Sequence, residues 1–210
     1  MKHIKYLVLL AAISLLAACS STKVTSSWKS PDVSSQNLQT KKIMVAALLP
    51  DRNRDLQKSM ENQLVEELKS KGIDAVSAYA VYGPKYFPQD EHKAVNKLRE
   101  SGVDGFLTIV LLDKNKENSY NPGYSQIAPV GYYNWYGYYR TVYGRVYTPG
   151  YYSTQTKYFW ESNLYSLPGE KLIYSAQSES FDPSSVSHLA SDYSVKLIND
   201  MTKQGLIAKK

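Results

Sequence analysis

Two stretches of the chain carry an apolar residue at almost every position, at Lys42–Leu49 and Gly105–Leu112. An unbroken apolar run of this length is typical of a strand that is covered on both faces, as in a parallel sheet with helices on each side. A further strand is predicted between them at Ile73–Tyr79.

Segments of helical periodicity separate these three strands. The first is predicted over Asp55–Lys71, with an apolar stripe on one side and Gly72 as a C-terminal stop. The second covers about Asp90–Ser101 and ends before Gly102. Because strand–helix–strand crossovers are right-handed, the simplest sheet places the first strand between the other two.

The second half of the chain changes to alternating polar and apolar positions. Thr154–Leu167 and Leu172–Phe181 read as antiparallel strands that are joined by a turn at 168–170. A last helix begins after Asp182-Pro183, with Asp182 or a following serine as its cap, and ends near Gly205. We therefore predict an α/β fold of mixed α+β type in residues 41–210: a three-layer sandwich with a five-stranded mixed sheet, strand order about 2-1-3-4-5, and helices on both faces.

The N-terminus reads as an export signal. A short basic start precedes an apolar run that is too short to span a bilayer and ends in Leu16-Ala17-Ala18-Cys19. This ending resembles the lipobox of bacterial lipoproteins. In that family the cysteine sulfur receives a diacylglycerol group, the signal is cleaved just before it, and the new amine is acylated. We predict a signal peptide at 1–18 and lipid attachment at Cys19; the alternative is an ordinary secretory signal with a chance cysteine.

Cys19 is the only cysteine in the chain. A disulfide framework and a thiolate-rich metal site are therefore excluded. The formal net charge of +6 becomes +4 without residues 1–18, because 23 basic residues then face 19 acidic ones. This balance does not indicate nucleic-acid binding. We predict that the protein binds the membrane through a diacylglycerol group and an acyl chain on Cys19. By resemblance to enterobacterial sorting rules, Ser20 in place of Asp favours the outer membrane, on its periplasmic face.

Residues 19–40 are rich in Ser, Thr and Gln and hold few apolar side chains, so most of them are predicted to form a tether. The exception is Val24–Trp28, where alternation favours a short edge strand that packs Trp28 onto the domain.

An insertion at 118–156 holds 11 of the 19 tyrosines, and Arg140 and Arg145 are its only charged residues. Connections longer than about 15 residues in a compact domain are usually functional or disordered. Tyrosine supplies a large amphipathic contact area at low entropic cost. The candidate partner-binding residues are Tyr132, Tyr133, Trp135, Tyr136, Tyr138, Tyr139, Arg140 and Arg145.

Four interpretations of the insertion stay open. It is an extended hairpin whose tyrosines pack on each other, a platform for an envelope protein, an aromatic floor for a glycan such as peptidoglycan, or a loop at the membrane surface.

Residues that carry chemistry are few. His92 and His188 lack partners at metal-ligand spacing, no serine lies in a nucleophile elbow, and no glycine-rich phosphate loop follows the first strand. We predict no catalytic residue, no metal and no cofactor. One candidate site remains in the loop after the first strand, where Arg52 and Arg54 could hold an anion at a strand end. The alternative is that these arginines pair at the surface with acids such as Asp51, Asp55 or Glu61.

Diffuse motifs along the mature chain carry a family resemblance. Ser27–Asp32, Lys41–Val45, Asp104-Gly105 and Lys171–Ser175 resemble a group of uncharacterised Gram-negative envelope lipoproteins. The resemblance implies a fold similar to the amino-terminal domain of TolB and to the core of the curli-assembly lipoprotein. It also implies a non-catalytic binding or assembly module. The alternative from another class is an envelope hydrolase or a peptidoglycan- or glycan-binding protein.

Overall fold

Six strands and four α-helices make up the residues that the computed structural model describes, which are 21–33, 38, 41–84, 91–116, 156–167 and 171–208. In chain order they are β1 (Thr22–Lys29), β2 (Lys42–Leu48), α1 (Arg54–Ser70), β3 (Asp74–Ser77), α2 (Ala78–Tyr82), α3 (Glu91–Glu100), β4 (Gly105–Lys116), β5 (Thr156–Ser166), β6 (Lys171–Phe181) and α4 (Val186–Lys203).

All six strands form one mixed sheet in the order β1-β6-β5-β4-β2-β3. Strand β2 pairs in parallel with β3 and β4, and the other pairs are antiparallel. The predicted α/β class and the order of the five core strands are confirmed. Helices α1 and α4 cover one face, where Leu64 and Leu197 are buried, and α3 covers the other face with Ala94 and Leu98.

The predicted strand count is wrong by one, because β1 forms a full edge strand within the segment that was expected to be mostly tether. Its start is fixed to the core by Thr22, which is buried and whose hydroxyl lies 2.8 Å from that of Ser180 on β6. Trp28, the residue expected to pack on the domain, is 40% exposed, whereas Val24 packs against the core. Pairing with β6 satisfies backbone groups that a short alternating segment could not satisfy alone.

The end of β3 also differs from the prediction. Strand β3 ends at Ser77 rather than Tyr79, because the Ser77 hydroxyl accepts a hydrogen bond from the amide of Ala80 at 3.0 Å and caps α2. At α4 the predicted serine cap is confirmed, since the Ser185 hydroxyl accepts from the amide of His188 at 3.0 Å. None of the helices within the described ranges is long and apolar enough to cross a membrane.

Candidate functional site

The predicted anion-binding arginines lie where the sequence placed them, at the carboxyl ends of β2, β3 and β4. After β2 the chain makes a 3-10 turn at Asp51–Asn53, and α1 begins directly with Arg54. In open α/β sheets, ligands bind beyond this end of the strands. Arg52 is exposed there, and Arg54 is half-buried.

Arg54 is hydrogen-bonded to three other residues of the chain, Asp51, Gln57 and Pro84. One guanidinium nitrogen donates to the Gln57 side chain at 3.0 Å and to the carbonyl of Pro84, and the other donates to the Asp51 carboxylate. Gln57 in turn donates to the carbonyl of Ala47 on β2 at 3.1 Å. The arginine thus holds the 3-10 turn, α1 and the segment after α2 together.

Glu61 extends this network into the core. It is fully buried on α1, and one carboxylate oxygen accepts from the amide of Ala47 at 3.0 Å. The other oxygen accepts from the Ser77 hydroxyl at 2.6 Å and from the amide of Tyr79 at 2.7 Å. One carboxylate therefore ties α1 to β2, β3 and the first turn of α2. The sequence predicts Glu61 only as a possible surface partner of the arginines, because a helical pattern does not show the donors that β2, β3 and α2 bring to this carboxylate.

Each donor and acceptor described above is bonded to another group of the protein, as expected for a network that stabilises the fold. Anion binding by Arg52 and Arg54 stays a prediction. No group of three or more potential metal ligands occurs in the part of the chain that the structure describes.

A column of aromatic side chains supports the same end of the sheet on the α4 side. The rings of Tyr158 and Trp160 stack at 5.7 Å, and Trp160 meets Tyr193 of α4 at 5.5 Å. Trp160 donates to the Ser180 hydroxyl at 3.2 Å. Burial raises the pKa of Tyr193 above the usual tyrosine range.

Tyr174 lies further down β6 and joins it to the last turns of α4. Its hydroxyl donates to the Asp200 carboxylate at 2.7 Å. Burial, followed by this hydrogen bond to a carboxylate, raises the pKa of Tyr174 well above its ordinary value. Both tyrosines are therefore neutral structural groups at any physiological pH.

A cluster that we call the Lys/Phe rim lies on the opposite side of this sheet end and consists of Lys23, Lys157, Phe159 and Phe181. Both ammonium groups approach the Glu179 carboxylate, at 3.3 Å from Lys23 and 3.6 Å from Lys157. Lys157 lies 4.7 Å from the ring centroid of Phe181 and 5.0 Å from that of Phe159. Phe181 is nevertheless 40% exposed. Sequence reasoning missed this cluster, whose only signal was two of the chain's four phenylalanines at adjacent strand ends.

An open groove of about 480 Å³ lies at the other end of the sheet, against β2 and β3. Its lining includes Lys42, Met44, Val76, Tyr82 and Lys97. The Lys97 ammonium lies 4.3 Å from the ring centroid of Tyr82, so this lysine of the groove already has an aromatic partner.

Several predictions fall outside the described residues. These are the signal peptide at 1–18, the lipid attachment point Cys19, the turn at 168–170 and the insertion up to residue 155. All of the candidate partner-binding residues also lie outside the described residues: Tyr132, Tyr133, Trp135, Tyr136, Tyr138, Tyr139, Arg140 and Arg145.

Comparison with known proteins gives weak structural likenesses only. No protein-family model and no curated protein matches the chain. The PelC dodecamer from Paraburkholderia phytofirmans is 12% identical, with coverage of 90% of this chain and 99% of that chain and a TM-score of 0.48. Lipoprotein GNA1162 from Neisseria meningitidis is 16% identical, with coverage of 78% and 99% and a TM-score of 0.42. A PDZ domain protein from Parabacteroides distasonis is 12% identical, with coverage of 91% and 38% and a TM-score of 0.43.

Proposed function

We propose that this protein is a lipoprotein anchored in the outer membrane, facing the periplasm, that acts as a non-catalytic binding or assembly module. The observation that carries the proposal is the place of the chain's single cysteine. Cys19 directly follows the small residues Ala17 and Ala18, at the end of an apolar segment that is too short to span a bilayer. Two or three acyl chains at that residue give stable anchoring.

The first described residues support an anchor that is joined closely to the domain. The amide of Phe181 donates to the carbonyl of Ser21 at 2.8 Å. The Asp192 carboxylate of α4 accepts from the Ser21 hydroxyl at 3.0 Å and from the amide of Thr22 at 2.7 Å. The folded chain is thus fixed two residues after Cys19. Residues 22–29, within the segment predicted to be mostly tether, form β1.

The non-catalytic part of this proposal is supported by the hydrogen bonds of the polar groups at the sheet end. Arg54, Gln57 and Glu61 contact one another or the backbone at the position where an α/β enzyme would place reactive groups. These contacts explain the three residues as parts of the fold, so no substrate is needed to account for them.

The insertion is the contact surface that we propose for an envelope partner or for peptidoglycan. The described residues on either side of it are paired, Lys116 at the end of β4 with Thr156 at the start of β5. The amide of Asp182 also donates to the carbonyl of Thr156 at 2.8 Å. The chain therefore leaves β4 and enters β5 at neighbouring positions of the sheet.

Lipid analysis of the mature protein tests the anchor. In a Gram-negative host, we expect palmitate label on the protein, an acylated N-terminal peptide that begins at Cys19, and recovery with outer membranes. Cys19→Ala should abolish all three, whereas the matched variant Ser21→Ala should keep the lipid. An unmodified Cys19 in the mature protein would contradict the proposed anchor.

Crosslinking in cells tests the contact surface. A photoreactive residue at Trp135 or Tyr139 should capture one specific envelope protein or peptidoglycan fragments, and the same residue at Ser70, on the exposed end of α1, should not. Equal capture from both positions would contradict the proposed role of the insertion.

A further inference from the structure

We propose that the Lys/Phe rim contacts the anionic phospholipid headgroups of the leaflet that holds the lipids of Cys19, so that the carboxyl end of the sheet faces the membrane. This inference rests on the proposed lipidation and adds a second, protein-borne contact with the bilayer.

Chain length sets the distance between the lipid and the domain. Ser21 is held by hydrogen bonds to β6 and α4, so only Ser20 separates this fixed residue from Cys19. Since an extended chain advances about 3.3–3.6 Å per residue, Ser21 can lie no more than about 7 Å from the Cα of Cys19. The acyl chains on Cys19 would therefore hold the start of β1 within about 1 nm of the headgroups.

The sheet register identifies what else lies at that end. Thr22 of β1 pairs with Ser180 of β6, which pairs with Tyr158 of β5, which pairs with Lys114 of β4. This row crosses four strands at the level of the first fixed residue. The Lys/Phe rim lies on or beside the row, and so does Lys114, whose ammonium lies 4.9 Å from the Tyr158 ring.

The side chains at this end have the chemistry of a membrane interface. Phe181 and Val186 are 40% and 44% exposed and place apolar surface at this end of the sheet. Lys23 is largely exposed, and lysines beside aromatic rings are favoured at bilayer surfaces, where the stem packs and the ammonium reaches the headgroups.

The two lysines of the rim and Glu179 together carry a net charge of +1. Across the whole sheet end, Lys23, Lys114 and Lys157 are balanced by Glu179, Asp113 and Asp182. Glu179 lies between Lys23 and Lys157, so it orients both ammonium groups beside the exposed ring of Phe181. Each surface lysine contributes about 1 kcal/mol of attraction to an anionic leaflet, so such a surface assists an acyl anchor and does not replace it.

Vesicle binding of the unlipidated chain tests the rim separately from the anchor. Residues 19–210 with Cys19→Ser contain every residue that the structure describes, and their binding to phosphatidylethanolamine vesicles with one quarter phosphatidylglycerol is measured by co-sedimentation. We expect the double variant Lys23→Gln, Lys157→Gln to bind about 25-fold more weakly, given an attraction of about 1 kcal/mol for each lysine. The matched double variant Lys171→Gln, Lys203→Gln removes the same charge at the opposite end and should bind like the unvaried chain.

The outcomes separate this inference from the proposed function. Equal binding of the two double variants, or no preference of the unvaried chain for anionic over pure phosphatidylcholine vesicles, would overturn the role of the rim. Neither result would affect lipidation, which is read from the mass of the mature N-terminal peptide. Circular dichroism of all variants should be unchanged, and a loss of folded signal in the rim variant would transfer the test to Lys23→Gln alone, at about fivefold weaker binding.

Discussion

Two polar regions at the same end of the sheet are built in opposite ways. The Arg54–Glu61 network is buried or half-buried, and its donors and acceptors meet within the chain. The Lys/Phe rim keeps a phenylalanine and an ammonium group exposed and gathers two lysines around one carboxylate. The first arrangement stabilises the fold where a helix and two strands meet. The second is typical of a contact surface.

The largest expected effect on stability comes from breaking the Arg54–Glu61 network. Glu61→Ala leaves two backbone amides and the Ser77 hydroxyl without their acceptor in the core, and each such buried donor costs about 1–3 kcal/mol. We expect the free energy of unfolding, measured in urea, to fall by about 3 kcal/mol or more. Glu66→Ala, on the exposed side of the same helix, should change it by less than about 0.5 kcal/mol. A loss of similar size in both variants would contradict a specific role for Glu61.

The buried tyrosines predict a loss of stability at high pH. Because the folded-state pKa of Tyr174 and of Tyr193 is raised above the unfolded value of about 10, their contribution is fully present below pH 10. It is lost as the pH rises above 10, since the unfolded chain releases these protons first. We expect the unfolding free energy to decrease above pH 10, and the decrease to be smaller in Tyr174→Phe. At pH 7 that variant should lose about 1 kcal/mol through the bond to Asp200.

Unchanged pH dependence in Tyr174→Phe would contradict this assignment.

A smaller effect is expected at the two arginines, and it tests whether the loop binds anions. Arg54→Ala removes contacts to Asp51, Gln57 and Pro84 and should lower stability by about 1 kcal/mol, whereas Arg52→Ala should change it by less than about 0.5 kcal/mol. If the contacts are purely structural, phosphate should not raise the melting temperature at constant ionic strength. A rise that Arg52→Ala abolishes would instead support the anion site that the sequence predicted.

The smallest effect on stability is expected where the effect on membrane binding is largest. Lys23→Gln with Lys157→Gln removes surface ion pairs, which contribute about 0–1 kcal/mol in general. We expect urea unfolding to change by less than about 0.5 kcal/mol while vesicle binding weakens. A large loss of stability would indicate that the rim is a structural element like the Arg54–Glu61 network and not a contact surface.

Hydrophobic patterning was sufficient for the core of the fold. The unbroken apolar runs of β2 and β4 and the alternation of β5 and β6 determined the class and the order of five strands. The short edge strand predicted at Val24–Trp28 is present as β1, but its full length was not predicted, because it is stabilised by pairing with β6 and by Asp192, which lies far away in the sequence. Local composition carries no signal for contacts of that kind.

The candidate site was less accessible to sequence reasoning. Arg52 and Arg54 could be placed at the strand end because the connection from β2 to α1 is short. The burial of Glu61 and the meeting of Lys23 with Lys157 depend on the sheet register, which joins residues from distant parts of the chain. An α-helical stripe indicates which side is buried, but a carboxylate on that stripe becomes a core residue only through the donors that tertiary structure brings to it.

The proposed orientation on the membrane is tested most directly by the depth of two labels. The lipidated protein is placed in anionic vesicles that carry a nitroxide on the headgroup, with a thiol-reactive fluorophore at Ser184→Cys, beside the rim, or at Ser70→Cys, at the far end of α1. The 17 residues of α1 separate the two ends by about 25 Å at 1.5 Å per residue. We predict strong quenching of the label at position 184 and weak quenching at position 70, with one label per protein because the lipid blocks Cys19. Equal quenching at the two positions would contradict the orientation, and two labels per protein would contradict the anchor itself.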